Sequence, residues 1–393
     1  MTGVHFMEFV WGRYSGLFYS AVGVLLFIAV GVLLGNFWFF FAIGFFLLFS
    51  IGLTDYFQKK RAVLGNFPLM GRFRFIFEAI RPELRQYFWE ADSDELPYSR
   101  NQRAMVYQRS KQILAARPFG SDENQYLEDF SWLNHSISPT QIEDDNFQIT
   151  VGVGRNAYNI SILNISGTSF GSISPKAIQA FSLGARKGGF AHNTGEGSFS
   201  KYHEKGGGDT IWQISTGYFG CRTEDGKFDS AQFAEKAKLP QVKMIEIKLS
   251  QGAKPGHGGM LLGAKVSPEI AKTRNVPPYQ DVISPHKHSE FSTPGELLNF
   301  VEKLRNLSEG KPVGIKLCIG HPWELVSIVK AMVQTDIYLD FITVDGSEGG
   351  TGAAPVEFTD HLGSPLRDAI VFVDNALIGA GIRDRVKIAA SGK

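Results

Sequence analysis

The sequence predicts an α/β protein: a (β/α)8 TIM barrel, its last strand and helices missing, preceded by a two-helix transmembrane hairpin and a helical connector. Three observations carry that expectation. No charged side chain occurs between residues 14 and 53. From residue 160 onward short apolar strands alternate with amphipathic helices, the pattern of a parallel sheet. A polar, glycine-rich segment follows nearly every strand. A barrel draws its site from all the loops at one end, whereas a doubly wound sheet concentrates it at one switch point.

The hairpin comes first. Residues 15–34 supply the roughly 20 apolar side chains that cross a hydrocarbon core as a helix, and 37–53 supply a second, shorter span. Gly35 and Asn36 leave room only for a tight turn, so both ends lie on one side. Arg13 precedes the first span and Lys59, Lys60 and Arg61 follow the second. Basic flanks mark the cytoplasmic side, which places the hairpin in the inner (cytoplasmic) membrane with the body facing the cytoplasm. A signal peptide would have a shorter apolar region and a small-residue cleavage site. A buried core hairpin carrying Phe37, Trp38, Phe39, Phe40 and Phe41 in a row would need a much larger soluble shell.

Three regions result: 1–61, the hairpin with its basic flank; 62–150, a connector with helical spacing at 73–88 and 103–115; and 151–393, the barrel. Strands are expected at 160–166, 189–193, 212–216, 244–250, 314–319, 341–346 and 387–391, with helices from 174 and across 231–237, 294–307, 323–333 and 366–378. After the seventh strand no residues remain for an eighth. Either an element of the connector completes the wall or the chain is a piece of a longer protein, and truncation is the favoured expectation.

Charge and cysteine content remove whole classes of function. Forty Lys+Arg against 39 Asp+Glu give no basic field for nucleic acid. Cys221 and Cys318 form neither a disulfide framework nor a metal-ligand cluster, and a reducing compartment suits them.

Four loops and one strand carry the chemistry. SGTSFGSISP (166–175) offers backbone amides with Thr168 and Ser169 to a polar ring edge, or is an ordinary βα turn. HNTGEGSFS (192–200) sets Glu196 between glycines, as a partner for a substrate cation or as a solvated carboxylate. KLSQGAKPGHGG (248–259) spaces Lys248, Gln251 and Lys254 three apart where a strand becomes a loop, a pattern suited to carboxylates or an electron-rich ring edge. DGSEGGTGAAP (345–355) leaves amides free for an anion but is no P-loop. Lys316 sits inside an apolar strand and needs either a ligand or an internal ion pair.

Together SFGSISP, NTGEG, QGAKPGHGG, VISPHKH (282–288), IKL (315–317) and GGTGAAP resemble the flavin-binding synthase domain of glutamate synthases, in that family's order and approximate spacing. The resemblance implies a barrel that binds FMN. It implies that Gly167, Thr168, Ser169, Lys248, Gln251, Lys316, Ser391 and Gly392 contact the cofactor, the lysines opposing charge at the ring's N1–O2 edge on reduction. It further implies that Glu196, Gln251, Lys254 and Arg274 hold a dicarboxylate, 2-oxoglutarate or its imine, with Glu196 and Lys254 as catalytic residues, and that glutamate is formed by hydride transfer. The electron donor would be a ferredoxin or a reduced nicotinamide protein. A glutaminase domain is not expected ahead of the match, His257 stands where the family tends to carry an acid, and an iron–sulfur cluster is expected only in a longer parent chain. The hairpin and connector resemble a shorter, membrane-anchored branch of the family. The alternatives are a membrane-linked FMN dehydrogenase of another small acid or carbonyl compound, and a non-catalytic tethered barrel.

Overall fold

A computed structural model describes residues 12–392 apart from 89–97, 114–115, 117–119, 122–123, 129, 145, 253–257, 352 and 360. The chain divides into two units, Met1–Asp145 and Asn146–Lys393.

In the first unit, α1 (Ser15–Leu34) and α2 (Phe39–Phe57) form the expected antiparallel pair, joined by one turn of 3-10 helix at Asn36–Trp38. Both are long and apolar enough to cross a membrane. The pairing is close because glycine sits at the contact: a Cβ on Gly31 would come within 3.0 Å of the Phe39 ring, and Gly23 faces the ring of Phe45. Leu25, Val32 and Phe40 point outward, exposed. The second helix runs beyond the expected end at 53 and takes Asp55 with it. That carboxylate is buried and receives Nε and Nη2 of Arg72 at 2.8 and 2.7 Å. A charge inside the helix is tolerated because its partner arrives from the next segment. There α3 (Ala62–Asn66) leads into α4 (Met70–Phe88), and α5 (Arg100–Ser110) opens with a Ser99/Gln102 capping box.

The second unit contains β1 (Gln148–Val151), β2 (Tyr158–Ser161), β3 (His192–Asn193), β4 (Thr210–Ile214), β5 (Val242–Lys248), β6 (Met260–Leu261), β7 (Val282–Ile283), β8 (Val313–Leu317), β9 (Phe341–Asp345) and β10 (Lys387–Ser391). Its helices are α6 (Pro175–Gly188), α7 (Lys201–Gly206), α8 (Ser230–Ala237), α9 (Pro268–Arg274), α10 (Pro294–Leu307), α11 (Pro322–Thr335) and α12 (Leu366–Gly379). The main sheet is parallel, in the order β3-β4-β5-β8-β9-β10. That order follows the chain without reversal, apart from the β6–β7 hairpin inserted after β5. A doubly wound sheet would reverse direction from its first strand, and this one does not.

One expected strand is corrected. Residues 160–166 do not form a single element: β2 pairs antiparallel with β1, and only Ile165 makes a parallel bridge, to His192. Asn164 is the reason. Its side chain donates to Ser161 O at 2.6 Å and accepts from Ala191 N at 2.9 Å, so it turns the backbone between the two pairings. The main sheet therefore has six strands among the described residues, and the pattern is a parallel sheet curled into a half-barrel, compatible with part of a TIM barrel.

The two faces of the sheet differ chemically. Trp212, Ile214, Ile245, Ile247, Val313, Ile315, Ile342 and Val344 alternate onto one face and share a core with Phe233, Leu298, Leu304, Met332 and Val373 of the helices. The concave face is layered. Ile211, Met244 and Phe341 form an apolar floor with Val151 and Ile160 of the β1–β2 hairpin. Above it Glu246, buried, accepts from Asn193 Nδ2 (2.8 Å), Gln213 Nε2 (2.7 Å) and Thr343 Oγ1 (2.6 Å). Glu246 lies opposite Gly314 in the register, and Thr343 reaches it from one strand further on; a Cβ on Gly314 would collide with Phe341 of that strand. The third layer, at the strand ends, holds Ser215, Lys248, Lys316 and Asp345.

Candidate active site

Above that third layer lies a cavity of about 440 Å³, within the range of small-molecule and cofactor sites. Gly167, Thr168, Ser169 and Gly195 form one wall, Met260, Leu261 and Leu262 an apolar one, and Glu196, Gln213, Lys248, Gln251, Lys265 and Arg274 supply the polar groups. Gly350, Thr351 and Ala353 close the remaining side.

The wall at 167–169 is built from backbone because two loops meet there without side chains between them. Gly195 has φ +56°, and a Cβ on it would stand 2.8 Å from Ser169 N. No other residue fits that approach. The loop ends in the Ser174 cap of α6, whose Oγ accepts from Ala177 N.

Lys248, at the last position of β5, donates to Gln251 Oε1 at 2.5 Å and stands 3.8 Å from Glu196 Oε2. Ser215 Oγ donates to the same Glu196 oxygen at 3.2 Å. The strand end is held from behind by a chain of defined direction. Ser289 N–H donates to Tyr218 Oη (3.1 Å), Tyr218 Oη–H to His288 Nδ1 (3.1 Å), and His288 Nε2–H to the carbonyl of Lys248 (3.0 Å). Since a carbonyl only accepts, the His288 proton is on Nε2. His288 belongs to the VISPHKH segment singled out in the sequence, but its work is to fix the backbone of Lys248.

The other expected site residues divide. Arg274 lines the cavity yet is nearly fully buried, donating from Nη2 to Phe170 O at 2.9 Å, with its guanidinium over the Phe219 ring. Burial is the main cause lowering its pKa, opposed by the charge of Glu196. Lys316 takes the internal ion pair: its Nζ is 3.0 Å from Asp345 Oδ1, and Asp345 also accepts from Gly252 N (2.8 Å) and from the Ser391 hydroxyl. Gly392 packs beside Leu366 and Gly346. Lys316, Ser391 and Gly392 thus brace the ends of β8, β9 and β10 below the cavity. Lys254 lies outside the described residues.

The thiols are inert parts of the packing. Burial pushes Cys221 up to about 12 and Cys318 up to about 11, far from a reactive range. Among the described residues no three His, Cys, Asp or Glu side chains group as metal ligands.

Comparison with known proteins settles the family. A model described as the conserved region in glutamate synthase matches residues 125–393. The chain belongs to the glutamate synthase family. A glutamate synthase large subunit-like protein of Bacillus subtilis is 37% identical over 390 residues, covering 87% of this chain and 73% of that protein. The archaeal glutamate synthase [NADPH] of Methanocaldococcus jannaschii is 35% identical over 229 residues, 58% of this chain and 42% of that protein. A large subunit-like protein of Rhizobium meliloti is 29% identical over 277 residues, covering 68% and 58%. The chain spans less than two thirds of the archaeal and rhizobial relatives.

In this glutamate synthase family member three buried histidines bind the fold to pH. Burial lowers His192 to about 4, and His288 to about 4, while burial and then the neighbouring His192 lower His203 to about 3. Unfolded imidazoles titrate near about 6.5. Between that value and about 4 the unfolded chain binds more protons than the folded one, so stability falls as pH falls. The expected loss is roughly 1 kcal/mol per histidine for each pH unit below about 6.5. Chemical denaturation of the protein at pH 7.5 and 5.5 checks this; an unchanged midpoint contradicts it.

Proposed function

We propose that this protein is an FMN-dependent oxidoreductase of the glutamate synthase type, reducing 2-iminoglutarate, formed from 2-oxoglutarate and ammonia, to glutamate. The observation that carries this is the convergence of Glu196, from the loop after β3, with Lys248 and Gln251, from the end of β5 and the loop after it, on one cavity, in a chain of the glutamate synthase family. The cavity suits the cofactor: an apolar wall at 260–262 for a flat ring, and amides and donors at 167–169, Lys248 and Gln251 for its polar edge. Bound and reduced, FMN would supply the hydride. We read the curled sheet as part of a (β/α)8 barrel, with the site at its usual end.

The chain's own residues have distinct tasks in this reading. Lys248 Nζ opposes negative charge at the cofactor edge, and Gln251, to which it donates, fixes its direction. Glu196, oriented by Ser215, holds the substrate's nitrogen and keeps a proton available to it. Arg274 acts by anchoring the 169–170 backbone and biasing the cavity toward carboxylates. Lys254 remains assigned to a substrate carboxylate. The helical pair α1–α2 anchors the protein in the cytoplasmic membrane, the body facing the cytoplasm, since its exposed Leu25, Val32 and Phe40 suit lipid and its flanks are basic. Reducing equivalents come from a separate nicotinamide- or ferredoxin-linked protein.

The test is anaerobic. Protein reduced in detergent with FMN is mixed with 2-oxoglutarate and ammonium, and glutamate is assayed beside flavin reoxidation. Glutamate in proportion to reoxidation is expected. Reoxidation by other carbonyl compounds but not by this pair would establish the alternative dehydrogenase, and no bound flavin would overturn the reading.

A further inference from the structure

We propose that α4 is an interfacial helix whose phenylalanine face binds the surface of an anionic bilayer beside the hairpin. This rests on α1 and α2 being membrane spans. Phe73, Ile76, Phe77 and Ile80 recur at three- and four-residue spacing on α4 and are all exposed, Phe77 by 58%. The helix is packed inside out for a soluble protein. Its polar side faces α5, with Arg74 Nη2 donating to Tyr107 Oη at 3.0 Å and Lys111 pairing with Glu78 at 3.2 Å. The apolar stripe is what faces away.

Two further observations name the occupant. The first is position. Asp55 at the end of α2 binds both Arg72 and the amide of Leu69 (3.2 Å), and a Cβ on Gly16 would lie 3.1 Å from Met70. The start of α4 is therefore fixed to the end of the hairpin where the N-terminus of α1 and the C-terminus of α2 meet, the level at which both spans leave the hydrocarbon. The second is charge. Residues 59–88 hold seven basic and two acidic side chains, and Lys59, Lys60 and Arg61 lie between the hairpin and the stripe. Apolar residues in the acyl boundary with basic side chains at the level of the phosphates is the arrangement of a surface-bound amphipathic helix.

The full chain is reconstituted in nanodiscs of phosphatidylcholine with phosphatidylglycerol, and spin labels are placed singly through Phe77→Cys, Ala79→Cys on another side of α4, and Leu25→Cys in α1. The native cysteines are buried, and labelling of the unsubstituted chain sets the background. The label at 77 is expected to be several-fold more accessible to oxygen than to an aqueous nickel chelate, the label at 79 the reverse, and the label at 25 deepest. Removing phosphatidylglycerol should move the label at 77 toward water while leaving 25 deep. An aqueous label at 77 with 25 deep overturns the proposal and leaves the hairpin standing. Aqueous labels at both overturn the membrane reading itself. A label at 77 shielded from both reagents, in lipid and in detergent alike, shows a protein partner there instead, and overturns the proposal.

Discussion

Replacing Glu246 by alanine is expected to destabilise the sheet unit by about 3 kcal/mol or more, the largest effect of any single change to the concave face. The carboxylate accepts from Asn193, Gln213 and Thr343, on three different strands, and its removal strands three buried donors at once. Each unpaired buried donor costs about 1–3 kcal/mol, partly relieved if water enters the vacated volume. For a unit of this size the loss corresponds to a fall in Tm of roughly 6–12 °C. Glu246→Gln keeps the volume but turns an acceptor into a donor, so it should fall between wild type and Glu246→Ala. Thermal unfolding followed by circular dichroism checks both, and a Tm for Glu246→Ala equal to wild type would refute the polar-layer account.

The second large effect is on turnover. Lys248→Met removes the charge at the end of β5 but leaves the backbone held by His288, so folding and FMN binding are expected to survive. The rate of glutamate formation should drop by about two to three orders of magnitude, the scale for losing one preorganised group that meets developing charge. His288→Ala, acting only through the position of Lys248, should lower the rate less, with the pH profile shape retained. Rapid-mixing reoxidation with 2-oxoglutarate and ammonium measures both.

The alternation of strands and helices was legible because it rests on local periodicity. The expected helix at 294–307 is found at Pro294–Leu307, behind a Thr293/Glu296 capping box. β4, β5 and β8 lie a residue or two earlier than expected, since polar side chains after their ends, such as Ser215 and Ser250, read as part of the run. The exception at 160–166 depended on the side chain of Asn164, whose partners are remote in sequence. The same limit applied at the site. Glu196, Lys248 and Gln251 announced themselves as polar residues in glycine-rich loops at strand ends. Glu246 did not, although a carboxylate inside the apolar run 244–250 was the available signal, parallel to that of Lys316. The partner of Lys316 was not in the local sequence: Asp345 is 29 residues away and meets it only through the β8–β9 pairing.

The claim that the cavity at the strand ends is the flavin site is tested most directly by the two-electron midpoint potential of bound FMN in wild type and Lys248→Met. A cation beside the ring edge stabilises the reduced form, so the variant's potential should be lower by tens of millivolts, about 30 mV for each tenfold change in relative binding of the two redox states. Equal potentials in the two proteins, or no flavin bound to the wild type, would contradict the account.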